Sequence, residues 1–235
     1  MKINKYAKKE NYTYTLGAFP SLELIHKRPD LVQEILIHED YYEKDHLIKL
    51  CIEKNLPYEI SSKLVNRLAN KGNTLVVGVF RKYEDPVKDL NHLVLHEISD
   101  MGNLGTILRT MNAFDMRDLV LVGNVCDIFN PKTIRASMGS IFDIRFAHYE
   151  TMDDYLRDFP ARKLYLFMLS RDDKDSIYRI EKPDGLYSLV FGNEGAGLPE
   201  DFASFGSKVF IPQSSRVDSI NLPIAASIGI YEFRR

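Results

Sequence analysis

Apolar strand-like runs alternate with helical segments along most of the chain after residue 91. HLVLHEI, DLVLVG, KLYLFMLS and YSLVFG carry apolar residues at most positions, which is typical of strands that are buried on both faces. NLGTILRTMNAF and the C-terminal LPIAASIGIYEFRR have the apolar spacing of helices. Strands and helices in this alternation predict an α/β fold with a parallel sheet that helices cover on both faces.

The first 84 residues show a smaller pattern of the same kind. VQEILIHE and TLVVGVF predict strands, and YEKDHLIKLCIEKN and SSKLVNRLAN predict helices. The next stretch, KYEDPVKDLNH, is polar and contains a proline, so it favours a boundary. We therefore predict a small α/β domain at 1–84, a linker at 85–90 and a larger domain at 91–235.

The net charge of −2 argues against a protein that holds nucleic acid through bulk electrostatics. The charges are distributed unevenly, however. Residues 1–84 contain 14 lysines and arginines against 11 acidic residues, whereas residues 85–235 contain 17 against 22. The first part is therefore the better candidate for contact with a polyanion.

Cysteines and histidines show no metal-binding pattern. Cys51 and Cys126 lie far apart and form no CxxC pair, which predicts reduced thiols in a cytoplasmic protein and no metal site. His92, His96 and His148 lie in or beside predicted strands without a common spacing, so we expect structural roles for them. No stretch approaches the roughly 20 apolar residues of a membrane span, and no membrane partner is expected.

Polar and glycine residues follow three of the predicted strands. SDMGNLG follows the strand at 92–98, GNEGAGL the strand at 187–191, and PQSSRVDSINLP the strand at 208–211. Ligands of open α/β sheets bind in the crevice beyond the carboxyl ends of the strands, so the three segments predict one assembled site. For each segment taken alone, an ordinary tight turn stays an alternative.

The glycine-rich segment limits which ligand such a site can hold. The chain has no GxxxxGK[ST] loop, and GNEGAG has its glycines in the reverse order of a dinucleotide-binding fingerprint. Pro199 interrupts the helix that would hold a pyrophosphate, and Glu194 would repel a phosphate. A cationic sulfonium ligand is compatible with that carboxylate. Elimination therefore favours S-adenosylmethionine over NAD.

Three segments resemble, in order and spacing, the motifs of the SpoU (TrmH) family of RNA ribose methyltransferases in the SPOUT superfamily. They are NLGTILRTMNAF, LVFGNEGAGL and IPQSSRVDSINLPIAASIGIYE, and NPKTIRASMGSIF is also similar to that family. Residues 14–83 resemble the substrate-binding domain at the N-terminus of many members. The resemblance implies an enzyme that transfers a methyl group from S-adenosylmethionine to a ribose 2′-hydroxyl of structured RNA, with ribosomal RNA favoured over transfer RNA.

The resemblance also implies a fold that the pattern of strands and helices does not predict. The C-terminal part of the Rossmann-like methyltransferase domain would form a deep trefoil knot whose loops bind the cofactor. The protein would be a homodimer with its active site at the interface between protomers. The glycines at 192–197 would let a knotted loop close over the adenosine, while Glu194 would help to organise the catalytic loops.

Site residues follow from the motif positions that match. The predicted catalytic centre consists of Asn103, Arg109, Glu194, Ser219 and Asn221. The predicted cofactor contacts are Gly192, Gly197, Ile211 and Leu222. The candidates for RNA contacts are the basic residues Lys27, Arg28 and Arg135. The arginine of the first motif would act either as the base or as a positioning group, since a guanidinium is effectively never deprotonated in proteins.

Two residues depart from the family pattern. Asp115 stands where the family usually has glycine, at a position that requires a left-handed residue, and Pro223 stands where a small or β-branched residue is commoner. Neither departure removes a predicted catalytic group.

Several alternatives stay open at the level of sequence. Asn103 and Asn221 each have an alternative role as helix N-caps. A non-catalytic RNA-binding or ribosome-assembly factor that retains the knotted fold is the alternative function. A nicotinamide-dependent oxidoreductase would fit the α/β pattern but not the spacing of the glycines.

Overall fold

Two compact units make up the chain. The computed structural model describes residues 3–69, 73–170, 172–181 and 183–234. The first unit combines residues 1–83 with residues 127–143, and the second combines residues 84–126 with residues 144–235. Within the described residues, no helix has the length and apolar character that crossing a membrane requires.

The regular elements agree with those that the sequence predicts. Up to residue 83 they are β1 (Tyr12–Tyr14), α1 (Ala18–Lys27), β2 (Val32–Ile37), α2 (Lys44–Glu53), β3 (Tyr58–Ile60), α3 (Ser62–Ala69) and β4 (Val76–Arg81). From residue 84 they are β5 (His92–His96), α4 (Met101–Ala113), β6 (Asp118–Val122), α5 (Pro131–Ala136), β7 (Arg145–Tyr149), α6 (Met152–Asp158), β8 (Lys163–Phe167), β9 (Tyr187–Phe191), β10 (Ser207–Val209) and α7 (Leu222–Arg234). The strand β1 was not predicted, because three residues are too few to show a period.

The first unit is built on a mixed sheet. Among its described strands the order is β1-β4-β2-β3, with β2 and β3 parallel and β4 antiparallel to both of its neighbours. Leu47 of α2 packs with Ile35 and Ile37 of β2 in one apolar cluster. Leu36, which points to the other face of the same strand, packs with Val65 of α3. Helices therefore cover both faces of this small sheet.

The segment 127–143 packs within the first unit, although it lies between β6 and β7 in the sequence. The Phe142 ring meets the Phe80 ring of β4 edge to face, with the centroids 5.3 Å apart. The Thr13 hydroxyl of β1 donates to the Phe129 carbonyl at 2.7 Å, in a fully buried hydrogen bond. Apolar packing and a satisfied backbone carbonyl thus hold the segment in place.

This arrangement differs from the contiguous domains that the sequence predicts. The predicted domain at 91–235 includes the segment 127–143, whereas the contacts group that segment with the first unit. The segment packs with the first unit because its apolar side chains are buried there against residues that are distant in the sequence. Such long-range packing leaves no local pattern in the sequence. The predicted domains and the compact units both have a boundary near residue 84. The functional domain boundaries stay a prediction.

The second unit is built on a parallel sheet. Its described strands have the order β10-β8-β9-β5-β6-β7, and every neighbouring pair is parallel. Met152 and Tyr155 of α6 belong to the apolar cluster on one face. On the other face Phe233 of α7 packs against Tyr165 of β8, with ring centroids 4.6 Å apart, and α7 packs against α4. The predicted parallel sheet with helices on both faces is confirmed.

His92 is buried at the start of β5 in a chain of hydrogen bonds. Its Nε2 lies 2.7 Å from the Lys88 carbonyl, which can only accept, so Nε2 carries the proton. Nδ1 then accepts from the Tyr155 hydroxyl at 2.9 Å, and that hydroxyl lies 2.6 Å from Ser188 Oγ. Burial lowers the pKa of His92 to about 4; the hydrogen bond to Lys88 opposes this shift and the charge of Arg162 adds to it. These contacts give His92 a structural role.

Acidification should destabilise the protein through His92. The unfolded chain binds a proton near the ordinary pKa of 6.5, but the folded chain resists protonation until about pH 4. The contribution of His92 to stability is therefore complete above pH 6.5 and decreases as the pH falls from 6.5 to about 4. We expect the free energy of unfolding in urea to be about 2 kcal/mol lower at pH 5 than at pH 7.5 through this group. The His92→Gln variant should lose this share of the pH dependence, and equal slopes in both proteins would contradict the assignment.

Asp115 has a left-handed backbone, with φ 52°, directly after the last turn of α4. The next N–H, of Met116, donates to the Met111 carbonyl at 2.9 Å, as expected where a left-handed residue closes a helix. The conformation predicted for this position is confirmed. The exposed Asp115 carboxylate also accepts from Arg117 Nε at 2.7 Å. The second departure, Pro223, is the second residue of α7, where a missing N–H leaves no helix hydrogen bond unmade.

Replacing Asp115 by glycine should stabilise the second unit. Glycine lacks the Cβ that makes the left-handed region costly, so we expect a gain of about 0.5–1 kcal/mol. The exposed ion pair with Arg117 contributes little. Asp115→Ala is the matched control, because it loses the same ion pair and keeps a Cβ. Thermal unfolding should rank the glycine variant first, the wild type second and the alanine variant last; a glycine variant no more stable than the alanine variant would refute this explanation.

Candidate functional site

Loops from three strands meet at the carboxyl edge of the parallel sheet. The strand order reverses between β5 and β9, because the chain runs from β5 to β6 and β7 on one side and continues with β8, β9 and β10 on the other. A crevice forms at such a reversal in open α/β sheets. The loops after β5, β9 and β10 are the three that the sequence singles out.

A cavity of about 370 Å³ lies at this edge, beyond the ends of β8, β9 and β10. Phe167, Phe191 and Val209 line it from the strand ends. All four predicted cofactor contacts line it as well: Gly192, Gly197, Ile211 and Leu222. The structure therefore brings together residues that two separate motifs contribute, and their contact with a cofactor stays a prediction.

The charged side chains that line this cavity are all acidic. They belong to Glu194, Glu200 and Asp218, and no described lysine, arginine or histidine lines it. The Glu200 carboxylate lies 3.8 Å from Lys208 Nζ. Such a lining favours a cation and disfavours a phosphate, as the sequence alone already indicated for Glu194. The apolar floor is formed by the stacked rings of Phe167 and Phe191, whose centroids lie 4.1 Å apart.

Glu194 joins the loop after β9 to the beginning of α4. Its carboxylate accepts hydrogen bonds from the backbone N–H groups of Ser99 at 3.2 Å and Asp100 at 3.0 Å, and from the Ser99 hydroxyl at 3.1 Å. The Asn103 amide donates to the same carboxylate at 3.3 Å. Burial raises the pKa of Glu194, but these hydrogen bonds outweigh it and the net pKa lies below the usual range. Glu194 is thus held as a carboxylate.

Asn193 shapes the loop from which Glu194 projects. Its side-chain oxygen accepts from the backbone N–H groups of Gly195 at 2.9 Å and Ala196 at 3.1 Å. Its amide nitrogen donates to the Glu97 carbonyl at 2.9 Å. Sequence reasoning missed this residue, although an asparagine before glycines is a known signal for such a turn.

Gly192 allows the loop to fold back on itself. A Cβ at this position would lie 2.1 Å from the Gly197 carbonyl carbon and 2.3 Å from the Leu198 nitrogen, which are backbone atoms and cannot yield. By contrast, a Cβ at Gly195 would meet nothing closer than Asn193 Oδ1 at 3.6 Å. Space, rather than conformation, therefore requires glycine at residue 192.

The remaining predicted catalytic residues occupy different surroundings. Ser219 lines the cavity. Arg109 is exposed on α4, and within the described chain it forms no ion pair or side-chain hydrogen bond. Asn221 precedes α7, and its carbonyl accepts from the N–H groups of Ile224 and Ala225, both at 3.0 Å. The structure thus connects Asn103, Glu194 and Ser219 to the crevice by contacts, but no such contact joins Arg109 or Asn221 to it.

The alternative role of Asn103 as a helix N-cap is wrong. Helix α4 begins two residues earlier, and Asp100 is its N-cap. The Asp100 carboxylate accepts from the Asn103 N–H at 2.7 Å. The Asn103 side chain is therefore released for its contact with Glu194.

The three candidates for RNA contacts all belong to the first unit. Lys27 pairs with both Glu23 and Asp143, and these carboxylates raise its pKa although burial opposes them. Arg28 donates from Nε to the Phe142 carbonyl at 3.0 Å. Arg135 of α5 is exposed. Lys27 and Arg28 thus hold the segment 127–143 in place, and their binding to RNA, like that of Arg135, stays a prediction.

Similarity to known proteins agrees with this geometry. Residues 91–231 match the model of the SpoU rRNA Methylase family. The chain belongs to that family. A relative from Synechocystis sp., named an uncharacterized tRNA/rRNA methyltransferase, is 30% identical over 76% of this chain and 67% of its own length. The 23S rRNA (guanosine(2553)-2′-O)-methyltransferase RlmP of Bacillus subtilis is 28% identical over 60% of this chain and 57% of its own length.

A solved structure resembles the whole chain of this SpoU family member. The AdoMet-bound rRNA methyltransferase from Sinorhizobium meliloti is 27% identical and has a TM-score of 0.80, covering 96% of this chain and 87% of its own. The parallel sheet of the second unit is therefore the methyltransferase fold found in that family. The cofactor expected from the sequence, S-adenosylmethionine, is the one present in that structure.

Substitution of Gly192 should abolish cofactor binding. An alanine there would force the loop away from Gly197 and deform the cavity wall, whereas Gly195→Ala has room for its methyl group. In calorimetric titration with S-adenosylmethionine, we expect no saturable binding for Gly192→Ala and near wild-type affinity for Gly195→Ala. Wild-type affinity in the first variant would show that the loop is not a wall of the cofactor site.

Proposed function

We propose that this protein transfers the methyl group of S-adenosylmethionine to a ribose 2′-hydroxyl of RNA, with ribosomal rather than transfer RNA as the substrate. The observation that carries the proposal is the cavity at the carboxyl edge of the parallel sheet, whose charged lining residues are Glu194, Glu200 and Asp218. Membership of the SpoU family supports it, as does the 2′-O-methyl transfer to 23S rRNA in the name of the Bacillus subtilis relative.

The lining of the cavity fits the proposed cofactor. The carboxylates are compatible with a sulfonium and an ammonium group, and an apolar floor suits the adenosine. Gly192, Gly197, Ile211 and Leu222 would bind it mainly through backbone groups. When bound, S-adenosylmethionine supplies an electrophilic methyl group to the reaction.

The protein must activate and orient the ribose hydroxyl. A neutral hydroxyl is a poor nucleophile, so its proton has to leave during the transfer. A guanidinium is effectively never deprotonated in proteins, so we propose a positioning role for Arg109. Its planar group would hold the phosphate beside the target ribose and fix the hydroxyl in line. In this proposal Ser219 and Asn221 contact the ribose, and Glu194 keeps Asn103 oriented through the hydrogen bonds described above.

We further propose a homodimer in which the partner completes the site. Ile224, Ile228 and Tyr231 recur at helical spacing on α7 and are 54%, 37% and 56% exposed, which is a large apolar stripe to leave in water. Arg109 is exposed on α4, the helix against which α7 packs. A dimer through this stripe would give Arg109 a role at the site of the partner subunit.

The trefoil knot and the substrate-binding role of the first unit also belong to the proposal. The segment after β10 lines the same cavity as the loop after β9. Two segments that are separate in the sequence therefore meet at one place, as the proposed knot requires. The excess of basic residues in 1–84 supports RNA contact by the first unit. A cytoplasmic location follows from the proposed ribosomal substrate.

Calorimetry and a transfer assay test the proposal in sequence. We expect saturable binding of S-adenosylmethionine and none of NAD. With ribosomal RNA and methyl-labelled cofactor, the label should enter 2′-O-methylated nucleotides after digestion. Arg109→Ala should lower the transfer rate by at least about 100-fold, because orientation of the hydroxyl is lost, while cofactor affinity stays near wild type.

The outcomes separate the candidate functions. Binding of NAD would contradict the proposed function directly. Cofactor binding without transfer to any ribosomal or transfer RNA would favour the non-catalytic RNA-binding or ribosome-assembly factor. Full activity of Arg109→Ala would leave the reaction in place and remove the arginine from it.

A further inference from the structure

The acidic lining of the cofactor cavity creates a requirement for the RNA substrate. RNA brings one negative charge per nucleotide to the mouth of the cavity, whose charged lining residues Glu194, Glu200 and Asp218 are all acidic. Like charges at this range repel one another. Lys208 Nζ lies 3.8 Å from the Glu200 carboxylate and offsets part of this repulsion. A further cation near the mouth would offset more of it and favour the entry of a ribose. This reasoning rests on the proposed function.

Most arginines of the second unit are already engaged by carboxylates. The ion-paired ones are Arg117, Arg145, Arg157, Arg162 and Arg179. Within the described part of the chain, only Arg109, Arg216 and Arg234 of this unit form no ion pair. An exposed guanidinium without a carboxylate partner remains available to an external anion.

Position distinguishes these three arginines. Arg234 lies at the opposite edge of the sheet, in a cavity lined by Asn91, Asp118 and Tyr187 at the beginnings of their strands. Arg109 already has a proposed role in orienting the ribose. Arg216 belongs to the loop after β10, which lines the cofactor cavity.

The loop holds Arg216 outside the cavity and next to its mouth. Gln213 and Asp218, on either side of the arginine, both line the cavity, whereas Arg216 does not line it and is exposed. Gln213 Nε2 donates to the Asp218 carbonyl at 3.1 Å and closes the loop. The Arg216 N–H donates to Ser214 Oγ at 3.3 Å, which fixes the backbone from which the side chain projects.

We infer that Arg216 binds a phosphate of the substrate RNA adjacent to the nucleotide whose ribose enters the cavity. The planar guanidinium matches two phosphate oxygens, and it is the one unpaired cation of this loop. The contact offsets the carboxylates at the mouth without entering the cavity. Arg216 therefore contributes to RNA affinity and not to cofactor affinity.

Salt dependence of RNA binding tests this inference. The probe is a fluorescein-labelled RNA hairpin, titrated by anisotropy over a series of KCl concentrations with saturating S-adenosylmethionine. For Arg216→Ala we expect an affinity about ten-fold weaker at low salt. The slope of log K against log salt should fall by about 1. Arg216→Lys should retain most of the slope because it keeps the charge.

Arg157→Ala is the matched control, since that arginine is also exposed but is paired with Asp154. It should leave both the affinity and the slope unchanged. Calorimetry with S-adenosylmethionine should give the same affinity for Arg216→Ala as for the wild type.

Several results would overturn the inference. They are an unchanged slope of log K against log salt in Arg216→Ala, an equal loss of RNA affinity in Arg157→Ala, and absence of hairpin binding by the wild type. Weakened cofactor binding in Arg216→Ala would also overturn it, because the guanidinium would then contact the carboxylate of the cofactor. Failure of the wild type to bind S-adenosylmethionine would instead refute the proposed function, so the two failures are distinguishable.

Discussion

The carboxylate of Glu194 is the interaction on which the site depends. It accepts from two consecutive backbone N–H groups and a hydroxyl just before α4, and from the Asn103 side chain in the first turn of that helix. The first turn of a helix presents N–H groups that have no intrahelical partner, and a carboxylate is well suited to them. One side chain therefore fixes the distance between the glycine-rich loop and the helix that carries Arg109. Its lowered pKa means that this connection persists through the neutral and mildly acidic range.

In the proposed enzyme, acidic and basic residues serve different ligands and lie in different places. The charged lining residues of the cavity proposed to hold the cofactor are all acidic, which suits a cation. The proposed RNA substrate needs positive charge, which would be partly neutralised if it lay among those acidic residues. Arg109 and Arg216 are both exposed outside the cavity, and the basic excess of the chain lies in residues 1–84. Such a separation lets one small protein hold a sulfonium and a polyanion at adjoining places.

The sequence predicted the central strands of the second unit well, because β5, β6, β8 and β9 are mostly apolar runs and each predicted site loop follows a strand end. It also predicted the four cavity residues Gly192, Gly197, Ile211 and Leu222, through motifs rather than through periodicity. What it could not predict depends on partners far away in the chain. Lys27 reads as a free basic residue until Asp143 is seen beside it.

Some local sequence signals also suggested a role that differs from the one found in the structure. Asn103 has the side chain of a helix cap, but the helix begins two residues earlier and Asp100 caps it by accepting from the Asn103 N–H. Asn193 carries no charge and reads as loop, although its amide connects three backbone groups of the site. The segment 127–143 contains NPKTIRASMGSIF, which is similar to the SpoU family, but nothing in its local pattern indicates with which sheet it will pack.

That segment has a consequence for how the chain can be divided. Because residues 127–143 return to the first unit, the chain passes between the units three times, near residues 83, 126 and 143. The same crossings make residues 1–84 an incomplete object, because a fragment ending there would lack the Phe142 ring that packs on Phe80. The first unit therefore cannot be cut out of the protein as one continuous stretch of chain.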